Sequence, residues 1–475
     1  MGRRRAHSPG LRGLRGAPGA VVAAVTLLAG AATAAPAYAD TDVDCSTTDL
    51  IAAITAANAG SGDTLNLASY CVYTLTDADG QLPTITQPLV IHGNHATIRR
   101  DPNATTNFRI LNVGNTSLTM DTLTVMNGNG GTSGGGVNLN TGAGSLTTTD
   151  VNFQGSSALF GGAIFAGSGT TLSLTRGTVN DNRSTSTGGG IMAVGSNNAV
   201  MLNSVTVSGN RTSDAGGGVF LNTGLTSTIT NSVISDNTAR GSGGGLSFVG
   251  DGPLTVTGTT IADNRVTNSF SGGGGVDIEQ NLSGSITFVD STISGNVVKG
   301  FTGTDGSANG GGGIHLEFGP LTLDKTTVSD NQVIGAGGIG GGIAVRATGN
   351  AAPTTLTLQN GTTLTRNLAS GRYSQGGGLH AANGDGDVSV SLTDSHIDAN
   401  KVTGTGSAAG GIFNVDGTFS FATSSVNDNI APSAPAPGGV STGVAITTVD
   451  GSTTFTGNTP TNCLLSPQPV TNCSN

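Results

Sequence analysis

Six ionisable side chains occupy equivalent places in neighbouring segments of this chain: Asp277, Glu279, His315, Glu317, Arg346 and His380. Each lies one or three residues after the aliphatic residue that closes a glycine block (Val276, Ile314, Ile343, Leu379). In an extended strand, those two positions point to the same side. Paired carboxylates on one face could act as acid and base in glycoside hydrolysis. An arginine beside acids and a divalent ion would suit β-elimination of an acidic polysaccharide. Such a set also occurs as a solvated polar face with no chemistry, and the spacing does not assign a role to any one carboxylate.

Placing those six residues on one face requires a repeat, and the chain has one. Between 118 and 458, an alternating strand is followed by hydrophobic-x-x-Asn and then by a Gly-Gly-Gly-aliphatic block. The recurrent asparagines are Asn182, Asn210, Asn237, Asn264, Asn296, Asn331, Asn367, Asn400, Asn429 and Asn458. Most steps are 26–29 residues and four are 32–36. A period of this length built from short strands and turns predicts a solenoid, whose units bury their apolar sides by stacking. Segments such as Leu254-Thr255-Val256-Thr257 alternate strictly, and the 79 glycines leave no helical periodicity. The expected fold is all-β: a parallel β-helix of about twelve or more rungs spaced about 4.8 Å apart, with the asparagines stacked as a structural ladder at a turn.

Aligned on the glycine blocks, the rungs give an expected outward column of Asn138, Phe165, Met192, Phe220, Ser247, Asp277, His315, Ala344, His380 and Phe413. Phe165, Met192 and Phe220 form an apolar stripe suited to binding. The ionisable residues follow, close enough for a carboxylate to raise a histidine pKa. The segments 297–309, 332–339, 368–375 and 401–408 are longer than their counterparts and could wall a cleft. Two other columns invite chemistry. Asp181, Asp236, Asp263, Asp330 and Asp428 precede the ladder asparagines, where Asp suits a bend and calcium is the alternative. Thr228, Thr230, Thr255, Thr257, Thr287 and Thr322 form a hydroxyl array that could order water, or are simply good strand residues.

The ends read differently. Residues 1–39 look like an export signal: Arg3, Arg4, Arg5, Arg12 and Arg15, an apolar run over 20–35, and Ala37-Tyr38-Ala39 before Asp40. Removing those five arginines takes the formal charge from −10 to −15, which disfavours nucleic-acid partners. In an exported chain, Cys45 with Cys71 and Cys463 with Cys473 are expected as local disulfides. No structural cofactor beyond the calcium alternative is implied. Residues 46–59 suit a short capping helix started by Ser46 or Thr47, with Leu50, Ile51, Ile54 and Ala57 as its apolar stripe. The expected organisation is a signal peptide at 1–39, a cap and irregular first rungs at 40–117, repeats at 118–458, and a disulfide-bonded cap at 459–475. No transmembrane segment or sorting motif is visible in the mature chain, so secretion or surface display is expected.

The Gly-Gly-Ala-Ile at 161–164 and Phe-x-x-Asn at 455–458 resemble the paired repeats of the polymorphic outer-membrane protein family. The other rungs carry looser versions, and the chain lacks that family's C-terminal barrel strands. The resemblance covers essentially the mature chain. It implies a right-handed parallel β-helix and an adhesin-like role, with an extracellular glycan or surface protein as partner. The alternative function is a polysaccharide-degrading enzyme, a lyase or glycoside hydrolase, working through the six ionisable residues.

Overall fold

The computed structural model describes residues 40–474 apart from 61, 270–271, 280–283, 301–309, 348–352, 385–386, 433–436 and 447. The expected export signal lies outside the described residues, as does part of the 297–309 loop. The chain forms a right-handed parallel β-solenoid of about 14 turns.

One rung shows how the sequence dictates the path. Ile191–Gly195 joins a twelve-stranded parallel sheet, and Ala199–Ser208 joins a twenty-stranded sheet. The latter strand bends at Ser204, whose φ is 57°. The chain then turns at Asn210, touches a short third layer at Arg211, and returns through Gly216, Gly217 and Gly218 to Val219. Val219 pairs in register with Ile191, one rung back. Every second strand residue points inward. Leu172, Val179, Val200, Ile191 and Val219 are fully buried, and equivalents above and below extend one continuous core. Burying each such side chain contributes roughly 1.5–3 kcal/mol.

The three glycines of a block have three separate causes. Gly188 has φ 68°, a left-handed conformation that costs a side-chain-bearing residue. A Cβ on Gly189 would lie 2.2 Å from the Gly217 carbonyl oxygen of the next rung. A Cβ on Gly190 would meet the Asn210 side chain at 3.0 Å. Neighbouring rungs therefore approach too closely at this edge for any side chain, and the third glycine makes room for the corner asparagine.

At that corner the asparagines are stacked and buried. The Nδ2 of Asn210 donates to Asn237 Oδ1 at 2.9 Å, and the backbone N–H of Asn210 donates to the same oxygen at 3.0 Å. This pattern repeats from Asn182 to Asn429, each bonding to the next. Asn458 passes the chain to Asn462 in the tail. The buried amides satisfy backbone groups that the turn would otherwise strand.

The helix is Thr47–Ala59, with Ser46 accepting the Asp49 N–H as its N-cap. Leu50, Ile54 and Ala57 are buried against the first strands, and Ile51 is partly buried beside them. Disulfides join Cys45 to Cys71 and Cys463 to Cys473. The strands Val72–Leu75, Leu89–Arg100 and Leu111–Val113 supply the early rungs.

Candidate functional site

The expected column exists in register. Ser247, Asp277, His315, Ala344, His380 and Phe413 are successive partners along the twelve-stranded sheet. The expectation that it faces solvent needs correction. Asn138, Met192, Ser247, Asp277, His315, Ala344 and His380 are buried, although they point away from the core, and Phe165 and Phe220 are half-covered. The glycine blocks cause this. They fold back across the strands they precede, so that a Cβ on Gly188 would lie 2.7 Å from the Cβ of Met192, and one on Gly243 would lie 2.7 Å from that of Ser247. Phe165, Met192 and Phe220 do stack in register, but not as an exposed stripe.

The six ionisable residues divide into two groups, separated by Ala344. In the first, Asp277 Oδ1 accepts the Gly273 N–H at 3.1 Å and lies 2.9 Å from His315 Nδ1. Asp277 is 0% and His315 3% exposed, whereas Glu279 and Glu317 are half-buried. Burial alone would lower the His315 pKa. The hydrogen bond that His315 donates to Asp277 and the charges of Asp277, Glu317 and Glu279 outweigh it and raise the pKa above its ordinary value. Glu279 is pushed up to about 8, first by the Asp277 charge, then by burial, by its hydrogen bond to Asp277 and by Glu317, against the opposing pull of His315. Asp277 Oδ2 is buried with no hydrogen-bond partner, and the charge of that carboxylate is the first reason Glu279 resists ionising. The group is thus a proton-retaining cluster sealed except at Glu279 and Glu317.

The second group lines a cavity of about 470 Å³ with Ile339, Tyr373, Gln375, Val415 and Asp416. His380 stacks on Phe413 with centroids 5.6 Å apart, and its Nε2 lies 3.3 Å from Gln375 Oε1. Its pKa is lowered to about 4 by burial and by the Arg346 charge, so the ring is neutral at physiological pH. Nε2–H then donates to Gln375, and Nδ1 is buried without a partner. Arg346 is exposed, and Tyr373 is 53% exposed with the Arg372 guanidinium 4.6 Å above its ring. Asp416 Oδ1 accepts the Asn383 N–H at 2.6 Å. Two of the four long segments, 332–339 and 368–375, contribute to the walls; 401–408 does not line the cavity, and 301–309 lies outside the described residues. The sequence reading reaches Tyr373 and Gln375 only as parts of an expected wall segment and misses Asp416, because all three stand outside the aligned blocks.

The remaining columns take simpler forms. Asp181, Asp236, Asp263, Asp330 and Asp428 all have φ between 55° and 58°, the left-handed turn conformation that Asp tolerates. Among the described residues no group of three or more His, Cys, Asp or Glu side chains is placed to hold a metal ion. Thr228, Thr255, Thr287 and Thr322 stack in register. The column through Thr230 and Thr257 does not continue as hydroxyls, meeting Val289 and then Asp324.

No family model matches the chain, and no curated protein does. The resemblance to polymorphic outer-membrane repeats therefore stands on its motifs alone. Among solved structures the chain is similar to a mutant tailspike protein of E. coli bacteriophage HK620, at 13% identity and TM-score 0.40, over 89% of this chain and 73% of that one. The HK620 tailspike in complex with a pentasaccharide matches at 14% identity and TM-score 0.39, over 89% and 74% of the two chains. Among the described residues, no helix is long and apolar enough to cross a membrane.

Proposed function

We propose that this is an exported, non-catalytic β-helical rod that binds an extracellular glycan in the cavity around Arg346, Tyr373 and His380. The observation that carries the reading is the exposed Tyr373 ring in one cavity with an exposed guanidinium. A ring offers a face to sugar C–H groups, and the guanidinium suits the carboxylate of an acidic sugar. Gln375 and Asp416 add amide and carboxylate oxygens for hydroxyls. Burial of Asp277 and His315 weighs against the enzyme reading, because a general acid or base must come within hydrogen-bond reach of its substrate. The pair of disulfides and the expected leader support an extracellular site of action. In titration calorimetry with a uronic-acid polysaccharide, Tyr373→Ala and Arg346→Ala should each weaken binding at least ten-fold with unchanged circular dichroism. Equal binding by the double variant and the parent refutes the assignment.

A second reading, a polysaccharide-degrading enzyme, is favoured by Glu279 alone. A half-buried carboxyl kept protonated near neutral pH is what a general acid requires. New chain ends released from any polysaccharide by the parent protein, and not by Glu279→Gln, would establish it.

A further inference from the structure

The outer face of the twenty-stranded sheet carries a second groove, on a different side of the rod from the cavity above. Two cavities of about 490 and 400 Å³ share Thr124, Asn152 and Thr178, and so run together across the strands Ser117–Met126, Ser145–Gln154 and Thr171–Asn180. These three residues are register partners, as are Met126, Gln154 and Asn180 beside them. The groove therefore repeats along the rod axis at the strand spacing of about 4.8 Å. The bends at Thr122, Asp150, Arg176 and Ser204, all at positive φ, form its rim.

The chemistry inside is uncharged. Among the described lining residues, the opposite charges on the rim neutralise each other: Arg176 binds both oxygens of Asp150, at 3.0 and 2.9 Å. The Thr178 hydroxyl lies between Asn152 Oδ1 at 2.9 Å and Asn180 Oδ1 at 3.0 Å, and its one hydrogen is shared between them. Among the described residues, Asn152 Nδ2 has no acceptor and the side chains of Gln154 and Thr124 make no hydrogen bond. At one end His95 lines the groove, its ring stacked on Tyr70 at 5.1 Å with 10° between planes, and Tyr70 is 75% exposed. Rings held parallel at a groove's end, beside hydroxyl and amide groups left free by the protein, match a ligand with hydroxyl edges and apolar faces. The lining residues carry no net charge, and at the groove's edge the Asn180 amide donates to the exposed Asp181 carboxylate at 3.1 Å, so on an acidic chain a polyanion is disfavoured.

We infer that this groove binds a neutral oligosaccharide lying along the rod axis, with Asn152 and Gln154 reading its hydroxyls and the Tyr70–His95 pair seating a terminal sugar. The inference is independent of the acidic-glycan site. It is tested by calorimetry of the parent chain with neutral gluco-, manno- and galacto-oligosaccharides, beside the variants Asn152→Ala/Gln154→Ala, Tyr70→Ala and Arg346→Ala. Binding of at least one neutral ligand is expected, weakened ten-fold or more by the double variant and several-fold by Tyr70→Ala, and unchanged by Arg346→Ala. Because Tyr70, Asn152 and Gln154 lie at the surface, unchanged melting curves should accompany these losses. No neutral ligand bound by the parent, or binding that survives the double variant, overturns the inference. Loss only with Arg346→Ala would place the neutral sugar in the other cavity and overturn it equally.

Discussion

Replacing Asn331 by Ala tests whether the asparagine ladder stabilises the rod. Asn331 sits mid-ladder and is fully buried. Its Oδ1 accepts the backbone N–H of Asn296 at 3.0 Å and the Nδ2 of Asn296 at 2.9 Å. Its Nδ2 donates to Ile293 O at 2.9 Å and to Asn367 Oδ1 at 3.0 Å. Alanine removes all four bonds, but not all four partners are stranded. Asn367 Oδ1 still accepts the backbone N–H of residue 331, and Asn296 Nδ2 still donates one hydrogen to Ile261 O. Two donor hydrogens on Asn296 are left buried without acceptors, at about 1–3 kcal/mol each, so the expected loss is about 4 kcal/mol. A solenoid does not unfold in one step, so a global melting point is a poor gauge. Native-state hydrogen exchange read over 293–334 reports the local opening free energy directly. Asn222→Ala, at an exposed residue of another rung, should change stability by less than about 0.5 kcal/mol. A loss below about 1 kcal/mol at the Asn331 rung would show that the ladder follows from stacking and contributes little to it.

Three further outcomes are expected. Glu279 titrates at about 8 in the folded rung against an ordinary 4.5, so the folded chain holds a proton that the unfolded chain has released between those values. Stability should therefore fall as pH rises through that window, with His315 acting in the same direction. Glu279→Gln should be more stable than the parent at pH 8, with the difference vanishing towards pH 5 in denaturant titrations; a constant difference contradicts the raised pKa. Gly217→Ala would put a Cβ 2.1 Å from the Gly244 carbonyl oxygen, and should destabilise by about 3 kcal/mol or prevent folding, whereas Gly80→Ala, with nothing within 4 Å, should lose only the cost of its positive φ. Opening the Cys45–Cys71 bridge, which spans 26 residues, should cost about 3.5 kcal/mol, and opening Cys463–Cys473, which spans 10, about 2.7 kcal/mol. Equal losses from Cys→Ser pairs would argue against a loop-entropy origin.

Much of the architecture was legible because the repeat writes each constraint many times. Strand alternation marks the buried face, as at Leu254 and Val256. The ladder spacing sets the period, and the Ser46 cap with Leu50, Ile54 and Ala57 marks the helix. Register was equally legible: aligning the glycine blocks pairs Asp277 with His315, as the sheet does.

Solvent exposure was not legible. The alternation rule separates core from non-core, and assigns everything non-core to water. It contains no information about a loop that folds back over the outer face, as the glycine blocks do above Met192, Ser247 and Asp277. The same blindness hid the cavity partners. Tyr373, Gln375 and Asp416 lie in segments of variable length, where periodicity says nothing of direction, and only closure of the loops brings them beside Arg346 and His380. The sequence alone thus determined the fold, its register, its ladder and its two disulfides, because these depend on contacts between equivalent residues of adjacent rungs. Which side chains meet solvent, and so which could meet a ligand, was decided by the tertiary structure, because it depends on contacts between residues that the repeat does not relate.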